Sequence, residues 1–94
     1  MESRERHVFI VTYDLSKPGQ NYEKLLELIK SEDNWARLGG SSFLLTSYST
    51  AVELRDKFKV VLDSNDKLYV GIAESPAAWI GYSNEVSEWI KNFL

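Results

Sequence analysis

The sequence has no cysteine, which excludes a disulfide framework and any thiolate metal site and permits a reducing compartment. Histidine is almost as scarce. His7 stands alone at the start of an apolar run, where it reads as a solvated or core-edge residue or as a general base. No apolar stretch approaches the roughly 20 residues that a membrane span needs, so no membrane partner is expected. Met1 to His7 alternate in charge without a signal-peptide pattern, and the expected location is the cytoplasm. Positive charge is in deficit as well. Eleven Lys and Arg stand against 14 Asp and Glu, a net charge of −3 that gives no global attraction for nucleic acid. Any such binding requires a local basic patch. There is no internal repeat, linker or low-complexity segment.

What is present is ordinary for a globular chain: 94 residues, 44% hydrophobic and 27% charged, which predict one domain over 1–94 with a flexible stretch at 1–6. A chain of this size buries only about two-thirds of its unfolded surface. Its organising segment is Val8-Phe9-Ile10-Val11-Thr12-Tyr13-Asp14. The run is rich in β-branched and aromatic residues and ends on a carboxylate, so it reads as a strand over 7–14. Val8 and Ile10 lie on one face and Phe9, Val11 and Tyr13 on the other. A strand apolar on both faces belongs in the middle of a sheet.

After a Pro18-Gly19 turn, Tyr22, Leu25, Leu26 and Ile29 fall at helical spacing and predict a helix over 20–32, with Gln20 or Asn21 near its cap. Trp35 and Arg37 alternate with Ala36 and Leu38, and Gly39-Gly40 separates them from the strand-like Ser41 to Tyr48. The pattern fits a hairpin, or a long loop over 34–40 followed by one strand. Thr50 and Glu53 match a capping box, with Ser49 as the alternative cap, and open a helix over 50–62. Asp63 to Asp66 form a turn, Lys67 to Ala73 a strand, and Ser83 or Asn84 caps a last helix over 84–93 with Val86, Trp89, Ile90 and Phe93 on one stripe. The order β-α-β-β-α-β, then a helix, predicts an α+β ferredoxin-like sandwich: a four-stranded antiparallel sheet with two helices on one face, plus a C-terminal helix. A bare sheet face carrying Phe9, Val11 and Tyr13 would be a large apolar patch, and the C-terminal helix, a second copy, or both would have to cover it. These three residues, with Trp79, are therefore expected at the interface of a homodimer.

The order of elements, together with Thr12-Tyr13-Asp14-Leu15, Gly39-Gly40-Ser41-Ser42-Phe43, the Asp63 to Asp66 turn and the strand from Lys67 to Ile72, resembles the family of CRISPR-associated protein two. The likeness is greater to its SinR-like branch, through Lys17 to Tyr22 and Ala77-Ala78-Trp79, and more distant to the VapD-type ribonuclease toxins. The resemblance implies a ferredoxin-like dimer in which the aspartate ending the first strand faces its symmetry mate across a cleft. It also implies a divalent metal, Mg²⁺ with Mn²⁺ as substitute, held for endonuclease cleavage of RNA or DNA. Asp14 is the residue that carries over as catalytic and metal-binding. Ser42 and Phe43 match the small-aromatic step of the hairpin, but Leu44 and Leu45 follow where family members often have an acidic residue.

The residues themselves leave Asp14 two roles. A pair of such carboxylates can hold Mg²⁺, which takes oxygen ligands and keeps several waters. Alternatively, Asp14 accepts hydrogen bonds from turn amides at 17–20. Arg6, Lys17 and Arg37 are candidate phosphate contacts if they gather near the Asp14 end. The alternative to a nuclease is a non-catalytic dimeric adaptor of the same fold, with a protein partner.

Overall fold

The computed structural model describes residues 4–16 and 22–94. Lys17, the Pro18-Gly19 turn and the expected caps at Gln20 and Asn21 lie outside them. The strands β1 (His7–Asp14), β2 (Asn34–Gly39), β3 (Ser42–Ser47) and β4 (Lys67–Ile72) and the helices α1 (Tyr22–Lys30), α2 (Ala51–Lys59) and α3 (Asn84–Phe93) follow in the order β1-α1-β2-β3-α2-β4-α3. The sheet runs β2-β3-β1-β4 with every neighbouring pair antiparallel. This is the ferredoxin-like arrangement, with β1 and β3 central. Residues 34–47 form a hairpin, with a register shift between Arg37 and Gly39.

The two faces of β1 build two cores. Phe9, Val11 and Tyr13, joined by Phe43 and Leu45 of β3, pack against Leu25 and Ile29 of α1 and Leu54 and Phe58 of α2. The expectation that Phe9, Val11 and Tyr13 meet a partner is therefore corrected: they are 1%, 0% and 5% exposed beneath α1 and α2. The reason is symmetry in the pattern. Alternation assigns side chains to faces, but with both faces apolar it does not say which one the crossover helices take. On the other side Val8, Ile10 and Leu44 meet Ile90, Val86, Trp89 and Phe93 of α3. Trp79 packs onto this second core, and its indole nitrogen donates to Ser87 Oγ at 3.1 Å.

The helix ends follow local chemistry. Thr50 Oγ1 accepts from the Glu53 amide at 3.1 Å and Glu53 Oε1 from the Thr50 amide at 2.8 Å, a complete capping box. Arg4 also bonds to the Glu53 carboxylate, so the chain just before β1 is tied to α2. The Arg4 hydrogen bond, then the Thr50 backbone bond, hold the Glu53 pKa down to about 2. Helix α2 stops at Lys59, earlier than its apolar spacing suggests, yet Val61 and Leu62 still pack on the first core from the turn beyond it. Ser83 caps α3 by accepting from the Val86 amide at 3.2 Å. Just before it Gly81 has φ of +91°, a conformation that costs a glycine little. No helix among the described residues is long and apolar enough to cross a membrane.

Burial and capping predict different losses. Phe58→Ala empties a fully buried ring from the first core and is expected to lower unfolding free energy by about 3–5 kcal/mol, against about 1 kcal/mol for Thr50→Ala. Urea unfolding of the two variants measures this, and equal losses would contradict the assignment of core and cap.

Candidate functional site

Strand β1 ends at Asp14, directly opposite Lys67, the first residue of β4. Because odd positions of β1 enter the first core, Thr12 and Asp14 fall on the α3 side of the sheet. Their cross-strand partners Tyr69 and Lys67 share that side, since Leu68 and Val70 between them pack on the first core. Helix α3 occupies this side around Val8, Ile10 and Leu44. The far end keeps polar side chains: Asp14 and Lys67 are exposed, and Tyr69 is 62% exposed. A shallow hollow of about 330 Å³ elsewhere on this side, between the sheet and residues 77–80, is apolar. The hollow at Asp14 is smaller, about 210 Å³, and is lined by Thr12, Asp14, Lys67 and Tyr69 among others.

The Asp14 carboxylate accepts no hydrogen bond from a described residue. Among the described residues it is Asp66 that accepts from turn amides. Asp66 Oδ1 accepts from the Ser16 amide at 2.8 Å and Ser16 Oγ at 3.0 Å, while Oδ2 accepts from the Asp63 amide at 2.8 Å. Asp66 thus pins the segment leaving β1 to the turn entering β4. Amides at 17–20 lie outside the described residues.

Two of the expected cations, Arg6 and Arg37, do not lie at Asp14. Arg6 lies at the opposite end of β1, its guanidinium 5.6 Å from the Phe93 ring centre. Arg37 lies on the side of α1 and α2, over the Phe43 ring at 5.3 Å. It donates to the Gly39 carbonyl at 3.1 Å and the Gly40 carbonyl at 3.0 Å and also bonds to the Tyr22 hydroxyl. The Gly40 carbonyl further accepts from Tyr22 at 3.2 Å and, at the long distance of 3.4 Å, from Tyr13. Arg37 is thereby committed to holding the hairpin tip against α1 and β1. Lys17 lies outside the described residues.

Phe43 is a core residue, 0% exposed, whereas Ser42 Oγ donates to Thr12 Oγ1 at 3.1 Å on the Asp14 side. His7 is half-buried, edge-on to Phe9 and 3.9 Å from Glu5. Among the described residues no group of three or more His, Asp or Glu could hold a metal ion. Asp14 is the one carboxylate among the described residues that line the hollow, a donor set that suits Mg²⁺ if waters or further ligands complete it. Sequence reasoning missed Lys67 and Tyr69. The signal was available in the alternation of β4, whose outward residues Lys67 and Tyr69 flank the inward Leu68.

No family model matches the chain, and no curated protein sequence matches it. Among solved structures, the chain is similar to a hypothetical protein, TT1823, from Thermus thermophilus, with a TM-score of 0.68 and 22% identity over 83% of this chain and 94% of that one. At this identity the likeness establishes a shared fold and nothing about activity.

Burial, then the hydrogen bond and charge of Tyr22, push the Tyr13 phenol above its ordinary pKa of 10.0. The folded state then holds this proton more tightly than the unfolded chain, so its contribution to stability is complete below pH 10 and falls as pH rises beyond it. Tyr13→Phe is expected to flatten the alkaline loss of stability, read by urea unfolding between pH 9 and pH 11 (a range of about one unit either side of the ordinary tyrosine value). An unchanged slope in that variant would assign the loss to other groups.

Proposed function

We propose that the chain acts as a homodimeric, metal-dependent endonuclease of the type suggested by its resemblance to CRISPR-associated protein two, cleaving RNA or DNA at a site centred on two Asp14 carboxylates. One observation carries this reading: Asp14 ends a central strand on the polar part of the sheet, exposed and accepting no hydrogen bond from a described residue. A carboxylate in a turn is normally bonded to nearby amides, as Asp66 is here. Asp14 is exposed at the strand end, where a ligand can reach it. When bound, Mg²⁺ or Mn²⁺ would supply a polarised water and offset charge building on the attacked phosphate. Asp14 would hold the ion, and Lys67 beside it would draw the phosphate in. The Asp66 bonds to Ser16 would keep the end of β1 in place.

The second reading, a non-catalytic adaptor of the same fold with a protein partner, is favoured by one specific feature. Lys67 stands directly opposite Asp14, and a cross-strand pair of opposite charge can serve stability alone.

Cleavage of labelled single- and double-stranded RNA and DNA with Mg²⁺ or Mn²⁺ separates the two, with the oligomeric state verified beforehand. Asp14→Asn is expected to abolish cleavage while shifting unfolding free energy by no more than about 0.5 kcal/mol, as for exposed residues generally. Equal cleavage by both proteins would remove Asp14 from the chemistry. Absence of cleavage in both would leave the adaptor reading.

A further inference from the structure

The exposed ring of Tyr69 belongs to no core, and its setting is unusual for a surface aromatic. It projects from the edge strand β4 on the α3 side of the sheet, in register with Thr12 and two residues along from Lys67. It also lies over Gly71. A Cβ at Gly71 would come within 2.9 Å of both the Tyr69 Cε1 and hydroxyl oxygen and within 3.2 Å of Cζ. Only a glycine leaves room for the ring to lie this close along its own strand. The ring thus lies close to the Gly71 backbone and remains 62% exposed. Other exposed aromatics lack this combination: the Trp35 ring, for example, is already faced by the Lys30 ammonium at 4.9 Å.

We propose that Tyr69 is a stacking platform for an unpaired base and that Lys67 takes the phosphate of the same strand, so that the site selects single-stranded nucleic acid. Every base has a π-face, and an exposed aromatic ring on the sheet can stack on it. Strand geometry sets the Lys67 and Tyr69 Cα atoms about 7 Å apart, within the reach of one nucleotide from base to phosphate. The hydroxyls of Thr12 and Ser42, already bonded to each other, lie on the same side and suit a sugar or phosphate oxygen. A duplex keeps its bases stacked inside and cannot offer a face to a ring lying on a sheet. The selection of single strands rests on the nuclease reading only for what Asp14 then does to the bound strand.

The test is binding rather than turnover. Fluorescence anisotropy of the full chain with a labelled single-stranded oligonucleotide, and with the same sequence as a duplex, is measured in EDTA to prevent cleavage. Tyr69→Ala is expected to weaken single-strand binding about 5- to 150-fold, the range for loss of one stacked base, while Tyr69→Phe retains it. Lys67→Gln should reduce the slope of log affinity against log salt by about 0.7. Circular dichroism confirms that each variant is folded. Unchanged binding by Tyr69→Ala, preference of the wild-type chain for duplex, or failure of the wild-type chain to bind either form would overturn the proposal. If Tyr69→Ala binds normally while Asp14→Asn abolishes cleavage, the platform fails and the nuclease reading stands. If binding depends on Tyr69 and no cleavage occurs in any protein, the platform stands without the nuclease.

Discussion

A strand with two apolar faces must be covered twice. That constraint on β1 sets the architecture around it. Its odd side chains require α1 and α2, its even ones require α3, and both edges are taken by β3 and β4. The strand can end in solvent only at its tip, where the apolar run gives way to Asp14. The candidate site lies there because Asp14 is the one residue of the strand that is exposed. Covering one face by crossover helices uses the β-α-β geometry directly. Covering the second needs an element from outside the repeat of β-α-β units, and α3, arriving across the loop that carries Trp79, is that element.

The fold was legible because each local signal agreed with the others. The stripe of Leu25 and Ile29, the capping box at Thr50 and the alternation of Trp35 and Arg37 against Ala36 and Leu38 each specify one element without reference to the rest. What sequence could not assign was the choice between two equivalent faces. Phe9, Val11 and Tyr13 form as good a stripe as Val8 and Ile10, and only the packing decides which stripe the crossover helices cover. The same ambiguity put Phe9, Val11 and Tyr13, which are core residues, at an expected interface.

The site was legible only in part, for a related reason. Asp14 could be picked out because an apolar run stops at it. Lys67 and Tyr69 become its neighbours through a pairing that spans some fifty residues of sequence, from Asp14 to Lys67. Arg37 illustrates the converse. Its charge invites a phosphate, but the backbone carbonyls of Gly39 and Gly40, turned outward by the hairpin, satisfy its guanidinium first. A guanidinium bonded to two carbonyls and stacked on a ring is already desolvated on that side, and moving it toward a ligand would break bonds before making any.

The unequal cover of the two sheet faces has a dynamic consequence. The first core is closed by two helices that the Lys57 contacts to Ser31 and Glu32 fasten to each other, whereas the second depends on α3 and the loop leading to it. Detachment of α3 alone would leave the sheet and its paired helices standing while baring Val8, Ile10 and Leu44 as one apolar strip across the central strands. Such packing would give a two-tier stability, in which sub-global opening would lead to a species with an exposed hydrophobic sheet. Such a species is prone to self-association, so the anchoring of α3, more than the strength of the main core, governs how long the chain remains dispersed at high concentration.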